Sequence, residues 1–136
     1  MNVPTRHAWA VKSASWRIFK AFRGLPVREE TLSNALRLEL MALLPSSIVT
    51  REMPVPLTYT PSDATTPIAC GHGRADIFLQ TALATEDAPY TTVVEVKRER
   101  AGTGFGQARM YRRFLDAHDA YLVVFTSSAP IVTVVP

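Results

Sequence analysis

The chain has 136 residues, 47% apolar and 20% charged, a balance that excludes a disordered or fibrous polypeptide and fits one globular domain too short to carry a separate recognition module. No apolar run approaches the roughly 20 residues that a spanning helix needs. The single cysteine, Cys70, excludes an internal disulfide and fits a reducing compartment, while fifteen Lys and Arg against twelve Asp and Glu leave a net charge of +3, a mild bias toward anionic partners.

The first 24 residues form a unit of their own. They hold Arg6, Lys12, Arg17, Lys20 and Arg23 with no acidic residue, interleaved with Trp9, Trp16, Phe19 and Phe22. Val11, Ser15, Ile18 and Phe22 fall at helical spacing, and Gly24 supplies a stop. This predicts a basic amphipathic helix or extension over 1–24, ahead of a domain over 25–136. Three roles stay open for it: a helix packing its aromatic side on the domain, a contact for nucleic acid or a membrane surface, and a mitochondrial targeting peptide. The expected location is intracellular, cytoplasmic or nuclear, with a mitochondrial one open.

After Pro26, Leu32, Leu36, Leu40 and Leu43 recur every three or four residues until Pro45, which predicts a helix. "SIVTREMPVPLTYT" reads as an edge strand because Pro54 and Pro56 cannot donate to a ladder, and a loop follows. Strands are predicted at 75–80 and 91–97, as antiparallel neighbours. A glycine-punctuated stretch then leads into a helix from about Gln107 to His118, followed by the apolar strands "AYLVVF" and "IVTVVP". The order implies an α/β fold with one mixed sheet flanked by helices.

The strand "TTVVEVKRER" carries the functional argument. Successive side chains on a strand alternate in direction, so Val93, Glu95 and Lys97 share one face while Val94 and Val96 share the other. An unpaired ion beside a packed core costs several kcal/mol or more, so partners are expected. Helical phase places Gln107 within about 80° of Met110, Tyr111, Phe114 and Leu115, aimed at the sheet, with Arg109, Arg112 and Arg113 on the far side. It also puts Glu29 in line with the leucine stripe and Glu30 about a quarter-turn away, a choice left open between the two. Asp76 opens the preceding strand and can approach Glu95. Two adjacent carboxylates repel, and a hard divalent cation, Mg²⁺ or Mn²⁺, relieves them. Lys97 beside such an ion can orient an attacking water or stabilise charge on a phosphate. The reading is phosphodiester hydrolysis.

"GRADIF" with Asp76, "VVEVKR" with Glu95 and Lys97, "GFGQARMYRRF" with Gln107 and the apolar "AYLVVF" together resemble the PD-(D/E)XK nuclease superfamily, over roughly Glu29 to Phe125. The resemblance implies a restriction-endonuclease-like αβββαβ core. It also implies metal binding by Asp76 and Glu95, water activation assisted by Lys97, completion of the site by Glu29, and support from Gln107. Ala75 stands where the family's name motif has proline. The implied protein is a divalent-metal-dependent endonuclease or exonuclease acting on DNA rather than RNA, with specificity supplied by DNA structure, a homodimer or a partner protein. An inactive nuclease-fold DNA-binding or scaffold protein and an RNA-processing nuclease are the alternatives.

Arg98, Arg100, Arg109, Arg112 and Arg113 form a basic region near the proposed centre that can hold a polyanionic backbone. Cys70 and His72 in "CGHG" lack the companions of a zinc site and read as loop. Tyr111 reads first as core, and His7 and His118 show no pattern.

Overall fold

The computed structural model describes residues 1–99 and 104–136. Helix α1 spans Val3–Phe22 and is capped by Asn2, whose side chain accepts the Thr5 N–H at 2.9 Å, with Pro4 in the first turn where no amide donor is needed. Gly24 stands just past its end at φ 76°, the left-handed backbone that favours glycine. Helix α2 (Glu29–Leu43) starts on two acidic residues, favourable at the positive end of a helix, and buries Leu32, Leu36 and Leu40 along one stripe. Strands β1 (Ile48–Tyr59), β2 (Ile68–Thr81) and β3 (Tyr90–Arg98), helix α3 (Gly104–Phe114), and strands β4 (Asp119–Phe125) and β5 (Pro130–Val134) complete the order.

The five strands lie in sequence order. All neighbours are antiparallel except β3 and β4, which are parallel with α3 crossing between them. The fold is therefore α/β with a mixed sheet. Ile77, Leu79, Val94, Val96, Tyr121 and Val123 pack under α1 and α2, while Phe78, Val93, Leu122 and Val124 pack under α3. The expected split of β3, Val93 to one face and Val94 with Val96 to the other, is what the two cores contain.

Three expectations need correction. The "CGHG" stretch is strand, not loop: β2 begins at Ile68 and pairs with β1 back to Tyr59, a two-stranded ribbon that continues beyond β3. Its glycines permit the pairing without a hydrophobic run that sequence reasoning would recognise. Helix α3 starts at Gly104 and ends at Phe114, four residues before His118, where Asp116 takes a left-handed φ of 51°. Helix α1 does not turn all its aromatics inward. It contributes Ala10, Val11, Ala14, Ile18 and Phe19 to the core it shares with α2, whereas Trp9 and Trp16 are 43% and 46% exposed. No helix among the described residues is long and apolar enough to cross a membrane.

Candidate active site

The site forms where the sheet opens. Strands β2 and β3 are paired from Thr81↔Tyr90 up to Ile77↔Val94, and the next residues in register, Asp76 and Glu95, fall beyond the last pair. On the other side of β2, pairing with β1 passes from Arg51↔Ile77 to Met53↔Ala75, and Glu52 between them adopts φ 54°. Asp76 therefore sits at an interruption of the ladder on both sides.

Side chains take over the missing strand-to-strand bonds. The Asp76 N–H donates to Glu95 Oε1 at 3.0 Å, and the Val96 N–H donates to Asp76 Oδ2 at 2.7 Å. Each carboxylate accepts an amide through one oxygen, and the two side chains also hydrogen-bond to each other. Glu95 is 2% exposed. Burial, and then the facing Asp76 charge, push its pKa far above the usual carboxylate range, because the anion is poorly solvated and repelled. A buried carboxyl perturbed by a specific neighbour marks a candidate functional site.

Lys97 is half-buried, its stem lying against Gly104, where an added Cβ would meet Lys97 Cγ at 2.7 Å. Its ammonium is 3.6 Å from Glu29 Oε1, and Glu29 Oε2 accepts the Arg98 N–H at 3.3 Å. Of the two candidate glutamates, Glu29 is the one turned to Lys97. Glu30 is largely in solvent and pairs with Arg51 at 3.1 Å. Glu29, Glu30, Arg51, Glu52 and Asp76 border a cleft of about 220 Å³. The expected convergence of Glu29 with Asp76 and Glu95 on one ion is not realised: among the described residues, no three Asp, Glu, His or Cys side chains are grouped to hold a metal. Glu29 is drawn away to Lys97 and the Arg98 amide.

The sheet-facing stripe of α3 runs through Gly104, Ala108 and Tyr111, so Gln107 flanks the stripe, half-buried, instead of centring it. The difference is about one residue of helical phase, set by the close approach that Gly104 permits and by the ring of Tyr111. That ring fills the space above Gly73, where a Cβ would lie 2.8 Å from the hydroxyl. Burial first, and then the charge of Glu95, raise the Tyr111 pKa, while the Arg74 backbone opposes the rise. Tyr111 is thus both core and a neighbour of the acidic pair.

The proposed basic region divides. Arg109 and Arg113 are exposed, Arg109 with its guanidinium 5.2 Å from the Phe105 ring centroid. Arg98 donates to the Val27 carbonyl. Arg112 is committed to structure, donating to the carbonyls of Val135 at 3.1 Å and His118 at 2.9 Å. Arg100 lies outside the described residues, as does Gly102.

Sequence reasoning missed a second polar cluster at the other end of β3. His7 is fully buried, with Nδ1 2.8 Å from Thr92 Oγ1 and Nε2 2.7 Å from Thr81 Oγ1. Burial lowers its pKa to about 4, against a smaller opposing pull from Asp119. Its ring meets Tyr90 edge-on; Tyr90 donates to Asp119 and stacks on His118. A histidine among alanines and a tryptophan on a basic helix gives no sign that two threonines 74 and 85 residues away wait for it.

No family model matches the chain, and no curated protein matches it. A solved structure described as the crystal structure of SSO0001 aligns with 97% of this chain and 62% of its own length, at 18% identity and a TM-score of 0.48. The chain thus spans less than two thirds of that protein.

Proposed function

We propose that the chain is a PD-(D/E)XK-type nuclease with a restriction-endonuclease-like core, which hydrolyses phosphodiester bonds in nucleic acid with the help of a divalent cation. The observation that carries the reading is the opening between β2 and β3, into which Asp76 and Glu95 both project while Lys97 stands two residues along the same strand. A sheet has no structural need for two carboxylates there, since an apolar pair and two more ladder bonds would be less costly than a buried, mutually repelling couple.

The pair fits Mg²⁺ or Mn²⁺. Such ions take one or two carboxylates and keep several waters, so an ion that replaces the proton shared between the two carboxyl groups needs no third acid. Asp76 and Glu95 would hold the ion, whose chemistry is charge stabilisation on a phosphoryl oxygen and a lowered pKa for a bound water. Lys97 would orient an attacking water or stabilise the charge that develops on the phosphate. Glu29 holds the ammonium of Lys97 by an ion pair open to solvent, so its role is orientation more than stability. Exposed Arg109 and Arg113 supply backbone contacts without base reading. DNA is preferred over RNA on the family resemblance alone.

A second reading, an inactive DNA-binding or scaffold protein on the same fold, is favoured by one observation: among the described residues no third acid is grouped with Asp76 and Glu95, and Glu29 is committed elsewhere. Labelled single-stranded and duplex DNA and RNA, incubated with Mg²⁺ or Mn²⁺, separate the two. The nuclease reading expects metal-dependent cleavage by the wild type and none by folded Lys97→Ala. Binding without cleavage under either metal selects the scaffold.

A further inference from the structure

A second cleft, of about 250 Å³, lies between the turn joining α1 to α2 and the C-terminal ends of β3 and β4. Aromatic side chains from two segments line it, Phe19 and Phe22 from α1 and Phe125 from β4, with two cations, Arg23 and Arg98, and one carboxylate, Glu99, among them. The Arg23 guanidinium is 5.7 Å from the Phe19 ring centroid, and Arg98 is steadied by its bond to the Val27 carbonyl. The volume falls below the 300–1,000 Å³ or so of pockets that take drug-sized ligands, so the cleft suits one ring system. It opens at the C-terminal ends of parallel strands, the end at which open α/β sheets hold ligands.

Its position relative to the acidic pair is fixed by the chain. Arg98 directly follows Lys97, and its amide donates to Glu29, whose own carboxylate borders the smaller cleft containing Asp76. The first turn of α2 is therefore the wall between the two clefts. Lys97 and Arg98 leave β3 on opposite faces, but the Lys97 ammonium reaches Glu29 on α2, so a polymer with a phosphate at Lys97 would cross the first turn of α2 to bring its neighbouring unit to the aromatic cleft.

We infer that this cleft is a subsite for the base of an unpaired nucleotide adjacent to the scissile phosphate. The inference deepens the nuclease reading and names its substrate class as single-stranded or frayed nucleic acid. Phe22, partly exposed beside the buried Phe19 and Phe125, gives a sequence-tolerant stacking surface, and two arginines against the single Glu99 leave positive charge for the anionic backbone that carries the base. A base inside an intact duplex reaches such a cleft only by leaving its stack, which disfavours fully paired substrates.

The test uses the intact protein without divalent metal, so that it does not depend on cleavage. Amide resonances are followed by NMR while deoxythymidine monophosphate or, in parallel, deoxyribose 5-phosphate is added. The expected result is saturable shifts at Val27, Thr126 and Ser127 with the nucleotide, with affinity at least about fivefold weaker for the baseless sugar phosphate, the lower bound for one stacked base. Ser127→Trp, a change at an exposed loop position that fills the cleft without touching the core, abolishes the shifts, and Phe22→Ala weakens them. Equal response to the two ligands, shifts confined to other surfaces, or indifference to Ser127→Trp overturns the subsite. Saturation by an N-acetyl-phenylalanine amide in place of the nucleotide reassigns the cleft to a peptide side chain and also overturns it. A cleaving enzyme with no such shifts loses only this inference. Shifts in a protein that never cleaves leave a nucleotide-binding cleft standing and remove the nuclease reading.

Discussion

Acid should weaken this protein through one histidine. His7 is fully buried between Thr81 and Thr92, and burial holds its pKa at about 4 against 6.5 for the free side chain. The folded state keeps the imidazole neutral, while the unfolded chain takes up a proton as the pH falls below 6.5. The contribution is therefore fully present above that value and is lost between pH 6.5 and 4. A difference of two and a half pH units corresponds to about 3 kcal/mol in total, of which about 2 kcal/mol is lost between pH 7 and 4.5. Urea unfolding at the two pH values, for wild type and His7→Gln, isolates this contribution because the acidic residues are common to both proteins. The variant begins about 1 kcal/mol less stable for its lost hydrogen bond, but its stability falls by about 2 kcal/mol less on acidification. Parallel losses in the two proteins, or an NMR titration of His7 with a midpoint near 6.5, would refute the argument.

Other substitutions probe packing and the placement of Lys97. Leu36→Ala empties a fully buried position beneath α2 and should cost about 2–5 kcal/mol in denaturant unfolding. Gly104→Ala places a methyl 2.7 Å from Lys97 Cγ and 2.9 Å from Leu122 Cδ1. It should cost about 1–3 kcal/mol in stability by overpacking, and lower cleavage more than the stability loss alone explains, because the ammonium is displaced. Unchanged cleavage by the folded variant would show that the position of Lys97 is not critical. Arg112→Ala frees two carbonyls, one near the C-terminal end, and should lower stability by about 1–3 kcal/mol with no change in nucleic-acid affinity, the opposite pattern to exposed Arg113→Ala. Deleting residues 1–24 strips five side chains from the core under α2 and should yield an insoluble or unfolded product.

The elements with strong periodicity are legible in the sequence. The leucine stripe of α2, the alternation of β3 and the proline-marked edge strand β1 each follow from one local rule. The N-terminal half of β2 was not legible, because "IACGHGR" owes its strand conformation to pairing with β1 and not to its own side chains. At the site, the sequence placed Asp76, Glu95 and Lys97 on adjoining positions, and helical phase favoured Glu29. It did not reveal that Glu29 would turn to Lys97 and the Arg98 amide, since that depends on where α2 begins relative to the end of β3. The one-residue shift of Gln107 off the packed stripe has a similar origin in the contacts of Gly104 and Tyr111, which lie outside any pattern local to the helix. The His7 cluster joins four segments of the chain and has no sequence signature at all.

The central claim is that Asp76 and Glu95 together constitute a cation site. Mn²⁺ titration by isothermal calorimetry, with the wild type, Asp76→Asn and Glu95→Gln side by side, addresses it most directly. The account predicts one saturable site in the wild type that is lost in both amide variants, each of which remains folded. A wild type that takes up no Mn²⁺, or an isotherm unchanged by Asp76→Asn, contradicts it.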